Sequence, residues 1–282
     1  MLFLRPSKRV NQIIAGVLCR ALSRSKGEIS LYAYVFMSNH YHLILRSKDL
    51  KSLSEFMQYF NQNLSRELSH IHEWKNHFWQ TNYASHLVLD EEALADQFKY
   101  ILSNSVKERL VPHPQYWPGL HCYSHIVERK KVNGLWIDRS ALYNARRSKN
   151  KGHLTEDDFS VWDQLKLERP ECWSHLNEEE YRDMIKAWAK EISDKHRRLN
   201  FMGAKKVMEA DVFQVRTPKV SDRPLCKSGC AQLQKAFISA YYTFKEQYHF
   251  ASCAYHNALF KDKLTLRHLY PRGGFIHGMV PT

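Results

Sequence analysis

Two histidines separated by one residue are the feature of the sequence with the clearest chemical meaning. His40 and His42 stand in a run in which polar and apolar residues alternate, as they do along a β-strand. Because residues i and i+2 of a strand project from the same face, both imidazoles are expected to point the same way. Two nitrogen ligands in that arrangement can hold a divalent ion and leave positions for water, a third ligand and a substrate oxygen. The spacing also suits two ordinary hydrogen-bonded polar residues, so spacing alone leaves both interpretations open.

A tyrosine and an asparagine form the second candidate pair. Tyr100 and Asn104 lie one helical turn apart in the segment KYILSN, so a helix there places them on one face. A phenolate is a usable nucleophile when a nearby cation helps to remove its proton, and an asparagine carbonyl is an acceptable ligand for a hard metal ion. The alternative is a tyrosine that simply packs its ring, as most helical tyrosines do.

The elements that must position these residues follow from periodicity. Apolar residues at helical spacing predict three helices, over residues 10–22, 52–68 and 91–110. Residues rich in β-branched and aromatic types predict strands over 29–36 and 40–45, a hairpin, and a strand-like connection over 77–89. Ser52 is well placed as the N-cap of the second helix. The order helix, strand, strand, helix, strand, helix predicts an α+β sandwich.

The sequence changes character beyond about residue 111. Prolines, the segment WPGL and the basic tract ARRSKNKGH are typical of connectors, and we place a boundary near Lys131. The prediction is a catalytic domain over 1–130 and a mainly helical region over 131–282, with long helices over 178–198 and 232–260. Trp162, Trp173, Trp188 and the aromatic run FISAYYTFKEQYHF have spacings typical of core and interface, so they are expected to pack.

Charge and cysteine usage restrict the class of protein. The 42 lysines and arginines exceed the 29 acidic residues and give a formal net charge of +13, which favours a polyanionic partner. No apolar run approaches the ~20 residues of a membrane span, and no signal peptide is recognisable, so a cytoplasmic protein is expected. The six cysteines are scattered and are expected to be reduced. Cys226, Cys230, Cys253 and His256 only loosely fit the spacing of a zinc site.

The two candidate pairs occur together in an order that resembles one family, the HUH-type transposases with a single catalytic tyrosine. The sequence is similar in particular to the REP-associated tyrosine transposases, relatives of the smallest bacterial insertion-sequence transposases. The segments that carry the resemblance are YAYVFMSNHYHLIL, FMQYFNQNLSREL, FWQTNYASHLV and FKYILSNSVKERLV followed by YWPGL, within residues 4–120. Fainter similarity continues to PRGG near the C-terminus.

The resemblance implies a ferredoxin-like βαββαβ sandwich with the histidines on a central strand. Only Leu2, Phe3 and Leu4 are available here to supply the first strand, so that strand is short or missing. Relatives often carry proline after the asparagine, where Ser105 stands in this sequence. A serine can continue a helix that proline would bend, so the departure is expected to be tolerated.

The resemblance also implies roles for the candidate residues. His40, His42 and Asn104 are metal ligands, with Mg²⁺ or Mn²⁺ as the expected ion, although two imidazoles would also accept zinc. Tyr100 is the nucleophile of an enzyme that cuts and rejoins single-stranded DNA at repeat hairpins through a 5′-phosphotyrosine. The alternatives are a non-catalytic protein that only binds hairpin DNA, and a metal-dependent hydrolase or RNA-binding sheet. A monomer and a homodimer are both compatible with the sequence.

Basic and aromatic residues supply means of binding single-stranded or hairpin DNA, cations for phosphates and rings for base stacking. The expected DNA-binding residues are Arg66, Trp79, Tyr83, Lys99, Lys107, Arg109, Arg146 and Arg147. Further candidates are Lys75, Trp117, Arg129, Lys130, Lys131, Lys149 and Lys151. Each of these alone is an ordinary surface charge or core aromatic, and only the ensemble indicates a nucleic-acid surface.

Overall fold

The computed structural model describes residues 1–147, 154–215, 224–257 and 269–271. Helices and short sheets alternate through this part of the chain, which confirms the α+β class. The chain divides into two compact units, one of residues 1–48, 52–81 and 97–219, the other of residues 49–51, 82–96 and 220–282. All four candidate site residues belong to the first unit.

The first helix and the hairpin form most of the core of the first unit. Helix α1 (Lys8–Arg24) begins where the Ser7 side chain accepts a hydrogen bond from the Val10 amide, and nine of its residues are buried. Gly27, with φ of 86°, turns the chain into strand β1 (Ile29–Phe36), which is buried along its whole length. Strand β2 (Tyr41–Ser47) pairs with β1 antiparallel. The hairpin predicted from composition is therefore present.

Helix α2 (Leu50–Ile71) packs its aromatic residues on one face of the hairpin. The Phe60 ring lies 6.2 Å from that of Phe36 and 5.4 Å from that of Tyr41. The expected N-cap is wrong, because Ser52 lies inside the helix and its hydroxyl donates to Glu28 Oε2 at 2.9 Å. The apolar periodicity located the helix, but it did not locate the first turn.

Helix α3 (Glu91–Lys107) carries the candidate tyrosine. Its first turn is capped by Asp90, whose Oδ1 accepts from the Ala93 amide at 2.8 Å. The strand-like connection predicted before it is mostly irregular. Only β3 (Leu87–Val88) is a strand there, and it pairs in parallel with β6 (Cys226–Lys227) in the second unit.

A second hairpin lies beyond the predicted domain boundary. Strands β4 (Asn133–Ile137) and β5 (Ser160–Gln164) pair antiparallel, and β4 packs against α1. The approach is close enough that a Cβ on Gly16 would lie 2.0 Å from the Leu135 carbonyl oxygen. The predicted boundary near Lys131 thus falls inside the first unit. The functional division into residues 1–130 and 131–282 stays a prediction.

The remaining described helices are short except for two. They are α4 (Cys122–Ile126), α5 (Arg139–Arg147), α6 (Glu178–Lys195), α7 (Ala204–Glu209) and α8 (Ala231–Asn257). The helices predicted over 178–198 and 232–260 correspond to α6 and α8, with residues 258–260 outside the described part of the chain. No helix in the described ranges is long and apolar enough to cross a membrane.

Packing of the C-terminal aromatic residues only partly follows the expectation. Trp173 is buried and its ring lies 4.9 Å from that of Phe98. Trp162, by contrast, is 55% exposed. In α8 only Phe237 and Ala251 are buried, whereas the aromatic side chains of Tyr242, Tyr248 and Phe250 are exposed. Spacing typical of a core does not by itself supply an element for the aromatic face to pack on.

Three two-stranded sheets, β1–β2, β3–β6 and β4–β5, are the sheets of the described residues. Neither the four-stranded ferredoxin-like sheet nor a central position for the histidine strand is therefore confirmed. Leu2, Phe3 and Leu4 are buried but form a turn instead of a strand. The Leu4 amide donates to the Ser38 carbonyl at 2.9 Å, so this segment covers the end of the β1–β2 hairpin.

Candidate active site

The two histidines lie side by side at the start of β2. His40 immediately precedes the strand and His42 is its second residue, opposite Val35 of β1. Their ring centroids are 5.1 Å apart and the rings are nearly perpendicular. The i, i+2 spacing therefore does bring both imidazoles to one side, while Tyr41 between them contacts α2 on the other side.

Helix α3 brings Tyr100 to the same place. The Tyr100 ring centroid lies 5.1 Å from that of His42, and the side chain is 41% exposed. Asn104, one turn later, is buried, and its Nδ2 donates to the Tyr100 carbonyl at 2.7 Å. Tyr100 is thus a solvent-accessible phenol beside an imidazole, and the core-packing alternative does not describe it.

The environment of His40 favours a neutral ring. Burial lowers the pKa of His40 below its usual value, and Lys107 lowers it further, while Glu108 and a hydrogen bond with the Asn104 side chain act in the opposite direction. A neutral imidazole is the form that binds a metal ion. Since a lowered pKa favours the neutral form, His40 is ready to act as a ligand at neutral pH.

Asn39 selects which nitrogen of His40 is available. Its Oδ1 lies 2.8 Å from His40 Nδ1, and an amide oxygen can only accept a hydrogen bond. The ring proton therefore belongs on Nδ1, and the lone pair on Nε2. This second contact orients the ring in the way that metal-binding histidines usually need.

The donors gathered here fit a divalent cation. Asn104 Nδ2 is engaged by the Tyr100 carbonyl, so Oδ1 is the atom that this side chain can offer to His40 or to an ion. An acceptor oxygen facing a deprotonated histidine nitrogen is satisfied by a cation placed between them. Within the described ranges no group of three histidine, cysteine or acidic side chains could hold a metal. The set is therefore two imidazoles and one amide oxygen, which leaves positions for phosphate oxygens and water.

Two charged residues lie beside the tyrosine and the histidines: Lys107, which the sequence predicted as a DNA contact, and Glu108, which the sequence did not assign. Lys107 Nζ lies 3.7 Å from the centroid of the Tyr100 ring, and Glu108 is close enough to raise the pKa of His40. Both follow Tyr100 at helical spacing, seven and eight residues on. That i, i+4, i+7, i+8 stripe was a usable signal, since it predicts one face for all four residues.

The expected DNA-binding residues have different environments. Arg66, Arg109, Arg146 and Arg147 are exposed, and Tyr83 of the second unit is 42% exposed. Lys99 lies 3.9 Å from Glu191 and over the Trp188 ring, while Lys107 lies against Tyr100 instead of reaching outward.

Two of the aromatic candidates are held by α2 and β1. Trp79 is half-buried, and its Nε1 donates to the Asn61 carbonyl at 3.1 Å. Base stacking by Trp117 is excluded, because that residue is only 5% exposed and donates to the Phe36 carbonyl. Lys149 and Lys151 lie outside the described residues. All six cysteines are free thiols, as expected, and no metal-binding cluster of described residues includes them.

Comparison with known proteins agrees with the sequence resemblance. Residues 7–104 match the family model described as "Transposase IS200 like". The matched segment runs from the N-cap of α1 to Asn104, so it contains both histidines and Tyr100. The match makes this segment similar to that family of transposases. No curated protein and no solved structure matches the chain.

Proposed function

We propose that this chain, whose residues 7–104 match the IS200-like transposase model, is a transposase of that family and cuts and rejoins single-stranded DNA at repeat hairpins. Family membership implies a DNA-cleaving enzyme that acts in transposition. The single-stranded substrate, the tyrosine intermediate and the metal ion are our proposal. The observation that supports them is the meeting of an exposed Tyr100 with His42, His40 and Asn104 at one point of the first unit.

The proposed reaction is a transesterification at phosphorus. A Mg²⁺ or Mn²⁺ ion held by His40, His42 and Asn104 would polarise an oxygen of the scissile phosphate. Tyr100 Oη attacks the phosphorus and loses its proton to solvent; the new O–P bond forms as the bond to the 3′-oxygen breaks. The departing 3′-oxygen takes up a proton, which leaves a 3′-hydroxyl and a 5′-phosphotyrosyl protein. The bond energy is kept in the adduct, so a second 3′-hydroxyl can reverse the step and join strands.

The chain's own residues assist this step in three ways. The exposed edge of Tyr100 admits a phosphodiester without rearrangement of the core. Lys107 places a positive charge against the tyrosine ring, where negative charge develops as the proton leaves. The hydrogen bond from Asn104 to the Tyr100 carbonyl joins nucleophile and ligand on one turn of α3.

The β1–β2 hairpin with one helix on each face is the part of the fold that we relate to the ferredoxin-like sandwich of the family. The β1–β2 hairpin carries the histidines, α3 approaches one of its faces through Tyr100, and α2 packs on the other through Phe60. We regard this three-part arrangement as the portion of the ferredoxin-like sandwich that the chemistry needs. Support comes from the contact between His42 of β2 and Tyr100 of α3, since β2 pairs with β1 in a two-stranded sheet.

The test is covalent capture of DNA. Purified protein is incubated with labelled single-stranded hairpin DNA copied from repeats flanking its gene, with Mg²⁺ or Mn²⁺, and the products are separated by denaturing electrophoresis. A slow-migrating protein–DNA band is expected with wild type and absent with Tyr100→Phe. Tyr116→Phe is the matched control, because Tyr116 is also exposed, at 58%, and should leave the band unchanged.

An adduct that persists in Tyr100→Phe would refute the assignment of the nucleophile. A folded protein that binds the hairpin in a salt-dependent manner, but forms no adduct with any divalent ion, would instead be a non-catalytic hairpin-binding protein.

A further inference from the structure

A basic pocket lies between the second half of α2 and the loop that follows it. Its volume is about 430 Å³, and its walls include Ser65, Arg66, Ser69, Lys75, His77 and Phe78. The lining combines a guanidinium, an ammonium, an imidazole and hydroxyl groups with one aromatic ring. It contains no carboxylate. Such a set selects an anion that also carries a flat apolar group.

The two cationic side chains of the pocket, Arg66 and Lys75, are exposed and can contact a ligand. Arg66 is exposed and donates to the side-chain oxygen of Asn63, a neutral partner. Lys75 is exposed as well, and within the described ranges neither residue forms an ion pair. A phosphate group placed between them would form charge-assisted hydrogen bonds without breaking an existing salt bridge.

The aromatic wall is held in position by packing. One face of the Phe78 ring stacks on Phe3, at 4.9 Å between centroids, and Trp79 meets it edge-on at 4.7 Å. The indole of Trp74 donates to the His77 carbonyl at 3.2 Å, and that of Trp79 to the Asn61 carbonyl at 3.1 Å. The first bond joins two residues of the loop and the second ties the loop to α2, so ordering it costs little when a base stacks on Phe78.

The pocket lies across β2 from the candidate nucleophile. Trp79 contacts the Tyr41 ring at 5.8 Å, and Tyr41 projects from the face of β2 opposite to the two histidines. Tyr100 contacts His42 on the histidine face, so the pocket and the nucleophile lie on different sides of β2.

We propose that this pocket binds one nucleotide of the single-stranded DNA, with the phosphate between Arg66 and Lys75 and the base stacked on Phe78. The proposal rests on the proposed function and adds a second contact point, away from the cleaved bond. The pocket increases the affinity for the strand, and transfer of the phosphoryl group takes place at Tyr100.

The experiment measures binding separately from cleavage. Fluorescence anisotropy follows a fluorescein-labelled hairpin with a single-stranded flank, copied from repeats beside the gene, in a Tyr100→Phe background at several salt concentrations. The variants are Arg66→Gln with Lys75→Gln, and Phe78→Leu. The matched control is Arg20→Gln with Lys190→Gln, two exposed cations of α1 and α6 in the same unit.

The two variants are expected to differ in the salt dependence of binding and in their effect on single-stranded and duplex probes. The double charge variant is expected to bind about tenfold or more weakly and to reduce the slope of log affinity against log salt by about one to two. Phe78→Leu is expected to lose about tenfold in affinity for the single-stranded probe, with an unchanged slope and little effect on a fully duplex probe.

Affinities and salt slopes equal to those of the control pair would refute the proposal that this pocket binds a nucleotide. If Phe78→Leu fails to fold, as thermal melting would reveal, the charge variant still decides, because both of its residues are exposed. The covalent assay on the wild-type chain stays independent. An adduct with no effect of the pocket variants refutes only the pocket, and weakened binding with no adduct refutes only the proposed chemistry.

Discussion

At the scale of single residues, the contact between Lys107 and Tyr100 gives a direct prediction about rate. Lys107 Nζ lies 3.7 Å from the ring centroid, a distance at which a cation stabilises the electron-rich face by ~1–2 kcal/mol. Lys107→Gln is expected to slow adduct formation at saturating DNA by about 5- to 30-fold, while Lys107→Arg retains most of the rate. Single-turnover kinetics measures this. If Lys107→Gln lowers only DNA affinity, the lysine is a phosphate contact and not a partner of the tyrosine.

A second residue-scale prediction concerns Asn39 and the metal requirement. Its oxygen fixes the tautomer of His40, and loss of such an orienting partner typically costs about 10- to 100-fold in metal affinity. Asn39→Ala is expected to raise the Mn²⁺ concentration for half-maximal adduct formation by about that factor, with activity restored at saturating Mn²⁺. Asn39→Asp keeps an acceptor at Nδ1 and should retain a requirement near that of wild type. An unchanged metal titration in Asn39→Ala would contradict the role.

Residue types and spacing predicted which side chains share a face within one element. The i, i+2 rule placed His40 and His42 on one side, and the i, i+4 rule placed Asn104 one turn from Tyr100. That the two pairs converge came from the family resemblance. The i, i+7 spacing also places Lys107 on the same face of α3 as Tyr100. The approach of that face to His42 depends on the rotation of α3 against β2, which no local pattern specifies.

At the scale of elements, the close approach of α1 and β4 gives a prediction about stability. Gly16 lies in the middle of α1, where alanine would normally stabilise a helix by about 1 kcal/mol. Here the added Cβ would lie 2.0 Å from the Leu135 carbonyl oxygen, so backbone must move. Gly16→Ala is expected to lower the free energy of unfolding by about 3 kcal/mol, measured by urea denaturation.

Arg20→Ala is the matched control for this prediction, since Arg20 lies on the exposed side of the same helix. Its effect should stay within about 0.5 kcal/mol. An increase in stability for Gly16→Ala would mean that β4 does not pack on α1 in solution, and that residues 133–137 belong with the later part of the chain.

Local patterns predicted elements well and their partners poorly. The predicted helices at 10–22, 91–110 and 178–198 correspond to α1, α3 and α6, because each has its own periodicity. The pairing of β4 with β5, and the packing of β4 on α1, involve segments distant in sequence. A change in composition near residue 131 was therefore interpreted as a boundary, although residues 97–219 all belong to the first unit.

At the scale of the whole molecule, buried and half-buried histidines couple stability to pH. Burial lowers the pKa of His40, His72, His113, His121 and His125 in the folded state. Their unfolded pKa is about 6.5, so below that pH the unfolded chain binds more protons than the folded one. The free energy of unfolding must therefore fall as pH falls below about 6.5, and this contribution is fully present above it.

His121 offers the sharpest test of that coupling. It is 4% exposed, burial lowers its pKa to about 3, with a smaller contribution from His113, and its Nδ1 accepts from the Tyr123 amide at the start of α4. Between pH 7.5 and pH 5, this group alone should remove up to about 2 kcal/mol of stability. Asparagine can cap the helix in the same way but does not titrate. In urea denaturation, His121→Asn is expected to be less stable than wild type at pH 7.5 but to lose about 2 kcal/mol less on acidification. Equal losses in the two proteins would show that the pKa of His121 is the same in the folded and unfolded states, and that other histidines carry the pH dependence.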